Sequence, residues 1–269
     1  MTRNTIPGQH CDTWVDILQS LAAERPDKKA FGYLRDGEGD EEKLSYAELN
    51  RSARSIAATL LRLGAEGQRV LLLYPPGLEF IPAFLGCLYA GAVAVPAYPP
   101  DPMRLARSLP RLQAIAADSQ TRIVLTTAMV HGLAGALFDI APEFGTMHWL
   151  ATDTLADAAA DWRRPAIATT TLALLQYTSG STDTPKGVMV THDNLAWICG
   201  DLLARENYVG PCHHISWLPT FHDLGLIWGL LTPLVGGFPV TFMLPAAFLQ
   251  RPARWLQAIT HFRGTHTAA

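Results

Sequence analysis

The stretch Leu172-Ala-Leu-Leu-Gln-Tyr-Thr-Ser-Gly-Ser-Thr-Asp-Thr-Pro-Lys-Gly-Val-Met-Val190 decides how this chain is read. Its middle, from Thr178 to Lys186, combines hydroxyl side chains with one glycine, one proline and one lysine. Hydroxyls and backbone N–H groups are donors, glycine lets the backbone approach closely, and lysine adds a mobile positive charge. That chemistry wraps an oxyanion. The apolar runs Leu172–Tyr177 and Val188–Val190 flank it and read as two strands, so the loop joins strands and does not open a helix. The phosphate loop of NTPases needs Gly-Lys-Ser/Thr followed by a helix, whereas here Gly187 follows Lys186. Ser/Thr-rich residues also form ordinary turns with no ligand, and the loop composition alone leaves that alternative open.

Further out, the chain has 269 residues, room for one large or two ordinary domains. With 49% hydrophobic and 17% charged residues it can bury a substantial core. A net charge of −3 gives no reason to expect nucleic acid or an anionic membrane as partner. Cys11, Cys87, Cys199 and Cys212 make no CxxC pair and read as free thiols of a reducing compartment. Met1 to Cys11 has no apolar signal-peptide core, so the expected location is cytoplasmic. Leu224 to Gln250 carries no charge and Val70 to Pro100 only Glu79, but prolines and glycines break both runs. They read as buried strands and helices and not as transmembrane spans.

Leu44 to Gly64 reads as a helix, with Ser45 and Glu48 as a capping box and Gly64 as its end. Strand, helix and strand are expected at 69–74, 78–90 and 92–95, then a helix at 105–118 and a strand at 121–127. This rhythm argues for an α/β fold of mainly parallel sheets flanked by helices. Asp153 to Pro165 reads as a surface connection. A division into residues 1–165 and 166–269 is expected, the second part opening on the hairpin.

Tyr177 to Val188 resembles the phosphate-binding motif of the adenylate-forming superfamily, and departs from it only at Asp183, where the family usually has glycine. Val95-Pro-Ala-Tyr-Pro-Pro100 and Ser216-Trp-Leu-Pro-Thr-Phe-His-Asp-Leu-Gly225 resemble segments of the fatty acyl-AMP ligases in particular. The resemblance continues through Pro245–Pro252 to Arg254-Trp-Leu256. It implies the first part of the large N-terminal domain of such an enzyme, incomplete here. Ribose- and adenine-binding segments, the hinge and a C-terminal domain with its lysine are expected further on, and the chain alone is expected to give no adenylation. The implied reaction joins a fatty acid and ATP, with Mg²⁺, into acyl-adenylate and pyrophosphate, and the acyl group then passes to the phosphopantetheine thiol of an acyl carrier protein. A fatty acyl-CoA synthetase and an inactive nucleotide-binding remnant are the alternatives.

By the same resemblance Thr178, Ser179, Gly180, Ser181, Thr182, Lys186 and Gly187 hold the phosphates, and His222 lies near the reacting carboxylate. A fatty carboxylate is already ionised at pH 7, so His222 is expected to orient it and not to move a proton. As an isolated residue beside Phe221, His222 reads more often as a hydrogen-bonded core histidine than as a catalytic one. The glycine- and phenylalanine-rich run 224–244 resembles the wall of a fatty-acid tunnel, and its residues singly also read as core. No metal ligand is named: adjacent His213 and His214 on an extended segment point to opposite sides, which suits chelation poorly.

Overall fold

The computed structural model describes residues 13–100, 105–178, 185–206, 208 and 210–268. Thr13 and Asp16 cap α1 (Trp14–Glu24), the Thr13 N–H and hydroxyl both donating to Asp16 Oδ2, at 3.1 and 2.7 Å. Strands β1 (Lys29–Leu34) and β2 (Glu42–Ser45) follow, and no sequence expectation covers α1 or β1. Helix α2 (Tyr46–Arg62) starts later than expected, because Leu44 and Ser45 end β2. Ser45 is its cap. The Ser45 N–H and hydroxyl donate to Glu48 Oε2 at 2.8 and 2.7 Å, and the Glu48 N–H returns to Ser45 Oγ at 3.3 Å. These bonds hold the Glu48 carboxyl below its ordinary pKa. Gly64, left-handed at φ +67°, turns the chain out of the helix.

The expected alternation comes next: β3 (Arg69–Leu73), α3 (Phe80–Tyr89), β4 (Val93–Ala97), α4 (Leu105–Ser119), β5 (Ile123–Thr126), α5 (Ala128–Ile140), α6 (Pro142–Gly145) and β6 (His148–Ala151). Strands β7 (Leu172–Thr178) and β8 (Lys186–Thr191) form the expected hairpin, followed by α7 (His192–Arg205) and β9 (His214–Ser216). A π-helix spans Leu224–Leu231 and runs into α8 (Thr232–Gly236). Then come β10 (Val240–Met243), α9 (Pro245–Gln250), α10 (Ala253–Phe262) and β11 (His266–Thr267).

These elements fall into two compact units interleaved along the chain, not successive as a division at residue 165 has it. One unit holds residues 1–50, 76–78 and 192–269, the other 51–75 and 79–191. The reason is strand pairing. In the first unit β1 pairs in parallel with β10, far along the sequence, and with β2 in antiparallel fashion, in the order β11-β9-β10-β1-β2. Leu34, Ile215, Met243 and Ala258 form a core there, with Trp217, Phe248, Trp255 and Phe262 packed against it.

In the second unit the order is β6-β5-β3-β4-β7-β8, all parallel except β8. The apolar β3, β4 and β5 supply Leu71, Leu73, Val95 and Val124 to a core closed by Leu112, Ile115 and Phe144. Every residue of α3 except Pro82 is buried, which explains its uniformly apolar sequence. Gly86 allows this: a Cβ there would stand 2.7 Å from Ile56 Cγ2 of α2.

The segment 153–165 is not merely a surface connection. Ser55 Oγ donates to the Ala156 carbonyl and accepts from the Ala158 N–H, and Trp162 is buried with its indole N–H donating to the Tyr89 carbonyl at 3.1 Å. Its anchors come at irregular intervals, so no periodicity betrays them. The two uncharged runs resolve into short strands and helices, and among the described residues no helix is long and apolar enough to cross a membrane. Cys87, Cys199 and Cys212 are buried and unpaired with one another, and Cys11 lies outside the described residues.

Candidate functional site

The hairpin brings two of the expected phosphate-binding residues together. The last register pair before the loop is Thr178 with Lys186, preceded by Tyr177 with Gly187 and Gln176 with Val188. Thr178 and Lys186 are both exposed, so a hydroxyl and an ammonium stand side by side at the mouth of the loop. Ala173 and Tyr177 on one face of β7, and Leu174 and Gln176 on the other, are all buried, so both faces of the strand are covered. Ser179, Gly180, Ser181 and Thr182, and with them Asp183, lie outside the described residues. Gly187 sits in β8 under the ring of Tyr177, where a Cβ would come within 2.9 Å of Tyr177 Cζ. The Tyr177 hydroxyl in turn donates to Asp118 Oδ2 at 2.5 Å. Sequence reasoning misses Asp118, because nothing in its local pattern points to the hairpin.

His222 belongs to the other unit. It is exposed, so the reading as a core histidine does not hold. Its Nδ1 lies 2.6 Å from Asp223 Oδ1, and the Leu224 N–H is 2.7 Å from the same oxygen and 3.3 Å from His222 Nδ1. The shorter contacts decide the arrangement: Nδ1–H and the Leu224 N–H both donate to the Asp223 carboxylate. Nε2 is then the ring atom left to face outward, and it donates only when the ring is an imidazolium. Asp223 also caps the π-helix, a rare local geometry that recurs at functional sites.

The turn that carries His222 is held from both sides. The Leu218 N–H donates to Ser216 Oγ at 3.2 Å, and Trp217 stacks on Phe248 with centroids 4.0 Å apart. Gly225 lies directly on the Pro219 carbonyl, where a Cβ would be 2.0 Å from the oxygen. His213 and His214 do go to different neighbours. His213 Nε2 is 2.8 Å from Thr241 Oγ1 and its Nδ1 3.2 Å from the Phe262 carbonyl, whereas His214 meets the edge of Trp228 at 4.0 Å. Burial first, then the Lys29 charge, pushes His213 down to about 4. Burial first, then His266 and His213, pushes His214 down to about 3.

The profile of the AMP-binding enzyme family matches residues 18–269. The chain belongs to this family. Among AMP-binding enzymes it is 46% identical over 257 residues to the medium-chain-fatty-acid–[acyl-carrier-protein] ligase JamA of Moorena producens, covering 95% of this chain and 43% of that protein. It is 37% identical to the long-chain-fatty-acid–AMP ligase FadD23 of Mycobacterium tuberculosis, covering 94% of this chain and 44% of the relative. The crystal structure of the fatty acyl-adenylate ligase from L. pneumophila, in complex with acyl adenylate and pyrophosphate, superposes with a TM-score of 0.87 at 39% identity. That match covers 97% of this chain and 44% of the other. The chain thus spans less than half the length of these AMP-binding relatives.

Proposed function

We propose that the protein carrying this chain is a fatty acyl-AMP ligase. A fatty carboxylate oxygen attacks the α-phosphorus of ATP, the bond to the β-phosphate oxygen breaks, and pyrophosphate leaves from an acyl-adenylate. The thiolate of an acyl carrier protein's phosphopantetheine then attacks the acyl carbon and AMP departs. Negative charge builds on the β-phosphate oxygens in the first step, where a fixed hydroxyl and ammonium lower the barrier. The pairing of Thr178 with Lys186 at the hairpin mouth supports this most directly. Thr178, Ser179, Gly180, Ser181, Thr182, Lys186 and Gly187 are the proposed phosphate-binding set. Mg²⁺ accompanies ATP in this reading, and none of these residues is assigned to it.

His222 is proposed to orient the carboxylate: an imidazolium Nε2–H donates to it while Asp223 holds Nδ1. Membership of the family and the names of its relatives support the fatty-acid substrate and carrier acceptor. The reaction is proposed to take place in the cytoplasm. Fatty-acid-dependent ATP–pyrophosphate exchange by the full-length protein tests the reading. Lys186→Ala is expected to lower exchange by about 10-fold or more, through loss of a charge-assisted phosphate contact. Unchanged exchange in that variant rejects the loop assignment, and acyl-CoA formed with free CoA would replace the carrier by CoA.

A further inference from the structure

The loop half of the hairpin lies at the edge of its sheet. Strand β8 is the edge of the sheet, and its Val188 and Met189 are exposed. Strand β7 is in register with β4 only at Leu174 with Ala94, several residues below the loop. Above that point Leu175 packs on the core and Gln176 is buried, and the Tyr177 side chain reaches across both strands. The Tyr177 ring crosses the backbone of Gly187 on the facing strand and carries its hydroxyl to Asp118, near the C-terminal end of α4. A single phenol therefore ties both stems of the loop to a helix. The next pair toward the loop is Thr178 with Lys186.

We infer that the Tyr177–Asp118 hydrogen bond is a positioning device, setting the direction in which Thr178 and Lys186 leave the sheet and, through them, the affinity for ATP. This rests on the reading of the hairpin as a phosphate site. Tyr177 touches no phosphate in the proposal and is not a catalytic residue. Burial, then the hydrogen bond and charge of Asp118, keep the hydroxyl far above its ordinary pKa, so it remains a donor throughout the assay range. A carboxylate acceptor makes the bond charge-assisted.

The test is a kinetic cycle in the full-length protein: Tyr177→Phe, Asp118→Ala, the double variant, and Lys186→Ala as reference. Tyr177→Phe keeps the ring over Gly187 and removes only the hydroxyl. It is expected to raise KM for ATP about tenfold, the size set by one charge-assisted hydrogen bond, while KM for the fatty acid stays unchanged. Because both single variants cut the same tie, the double variant is expected to match either one. A fall in melting temperature with KM for ATP unchanged makes the contact merely structural and overturns the inference. So do additive effects in the double variant. Asp118 lies on the surface, so Asp118→Ala keeps the question open to test should Tyr177→Phe fail to fold. If Lys186→Ala impairs ATP use and the cycle shows nothing, this inference alone fails. If Lys186→Ala changes nothing, the phosphate reading falls with it.

Discussion

Gly225 stands where the candidate carboxylate-orienting turn closes on itself, and it shows what a single missing side chain does. A Cβ 2.0 Å from the Pro219 oxygen lies far inside van der Waals contact, and the atom it meets is backbone. The turn would have to open, and with it would move His222, whose N–H donates to the Pro219 carbonyl at 3.2 Å. Gly225→Ala is therefore expected to destabilise the protein by about 1–3 kcal/mol, the usual cost of overpacking. A lowered urea midpoint measures it. It should also lower kcat/KM for the fatty acid more than KM for ATP changes, and a variant with wild-type stability would show that the turn yields without cost. The motif Trp217–Gly225 was legible as a unit, yet the pairing of His222 with Asp223 and the need for glycine at 225 were not. Both depend on distances within a turn, which residue order does not display.

Among elements, those built from local rules were readable and those built from distant contacts were not. Helix α2 announces itself through Ser45 and Glu48, and the hairpin through two apolar runs around a turn-rich loop. The π-helix gives no such signal, because Leu224–Leu231 is apolar throughout and lacks a period. Strand β9 carries a consequence that only its packing reveals. His214 is held neutral in the fold at about 3, whereas in the unfolded chain it takes up a proton near its ordinary value of 6.5. The unfolded state therefore binds more protons below pH 6.5, so stability falls as pH drops from there toward 3. Between pH 7 and pH 5 this one group is expected to cost about 2 kcal/mol. His214→Leu should make the urea midpoint less sensitive to pH across that interval, and an equally steep loss in the variant would assign the effect to other groups.

At the scale of the molecule, the alternation of strands and helices from Arg69 to Thr126 correctly foretold parallel sheet, but not which strands share one. Parallel pairing needs long connections, so partners lie far apart in sequence and carry no mark of each other. Strand β1 reads as an N-terminal strand like any other until it is seen beside β10. The interleaving of the two units has a measurable result. A fragment of residues 1–165 would keep β1 and β2 but lose β9, β10 and β11, leaving a two-stranded ribbon, which is at best marginally stable in water. The same cut would strip β7 from β4 and expose its ladder, a template for association with other chains. Residues 1–165 are therefore expected to show no cooperative urea transition and to aggregate, while residues 1–269 unfold cooperatively. Tryptophan fluorescence suits the comparison, because Trp14 and Trp162 are both buried and both lie in the shorter fragment. A sharp transition from residues 1–165 alone would mean that sequential halves fold by themselves and that the long-range pairing of β1 with β10 adds little.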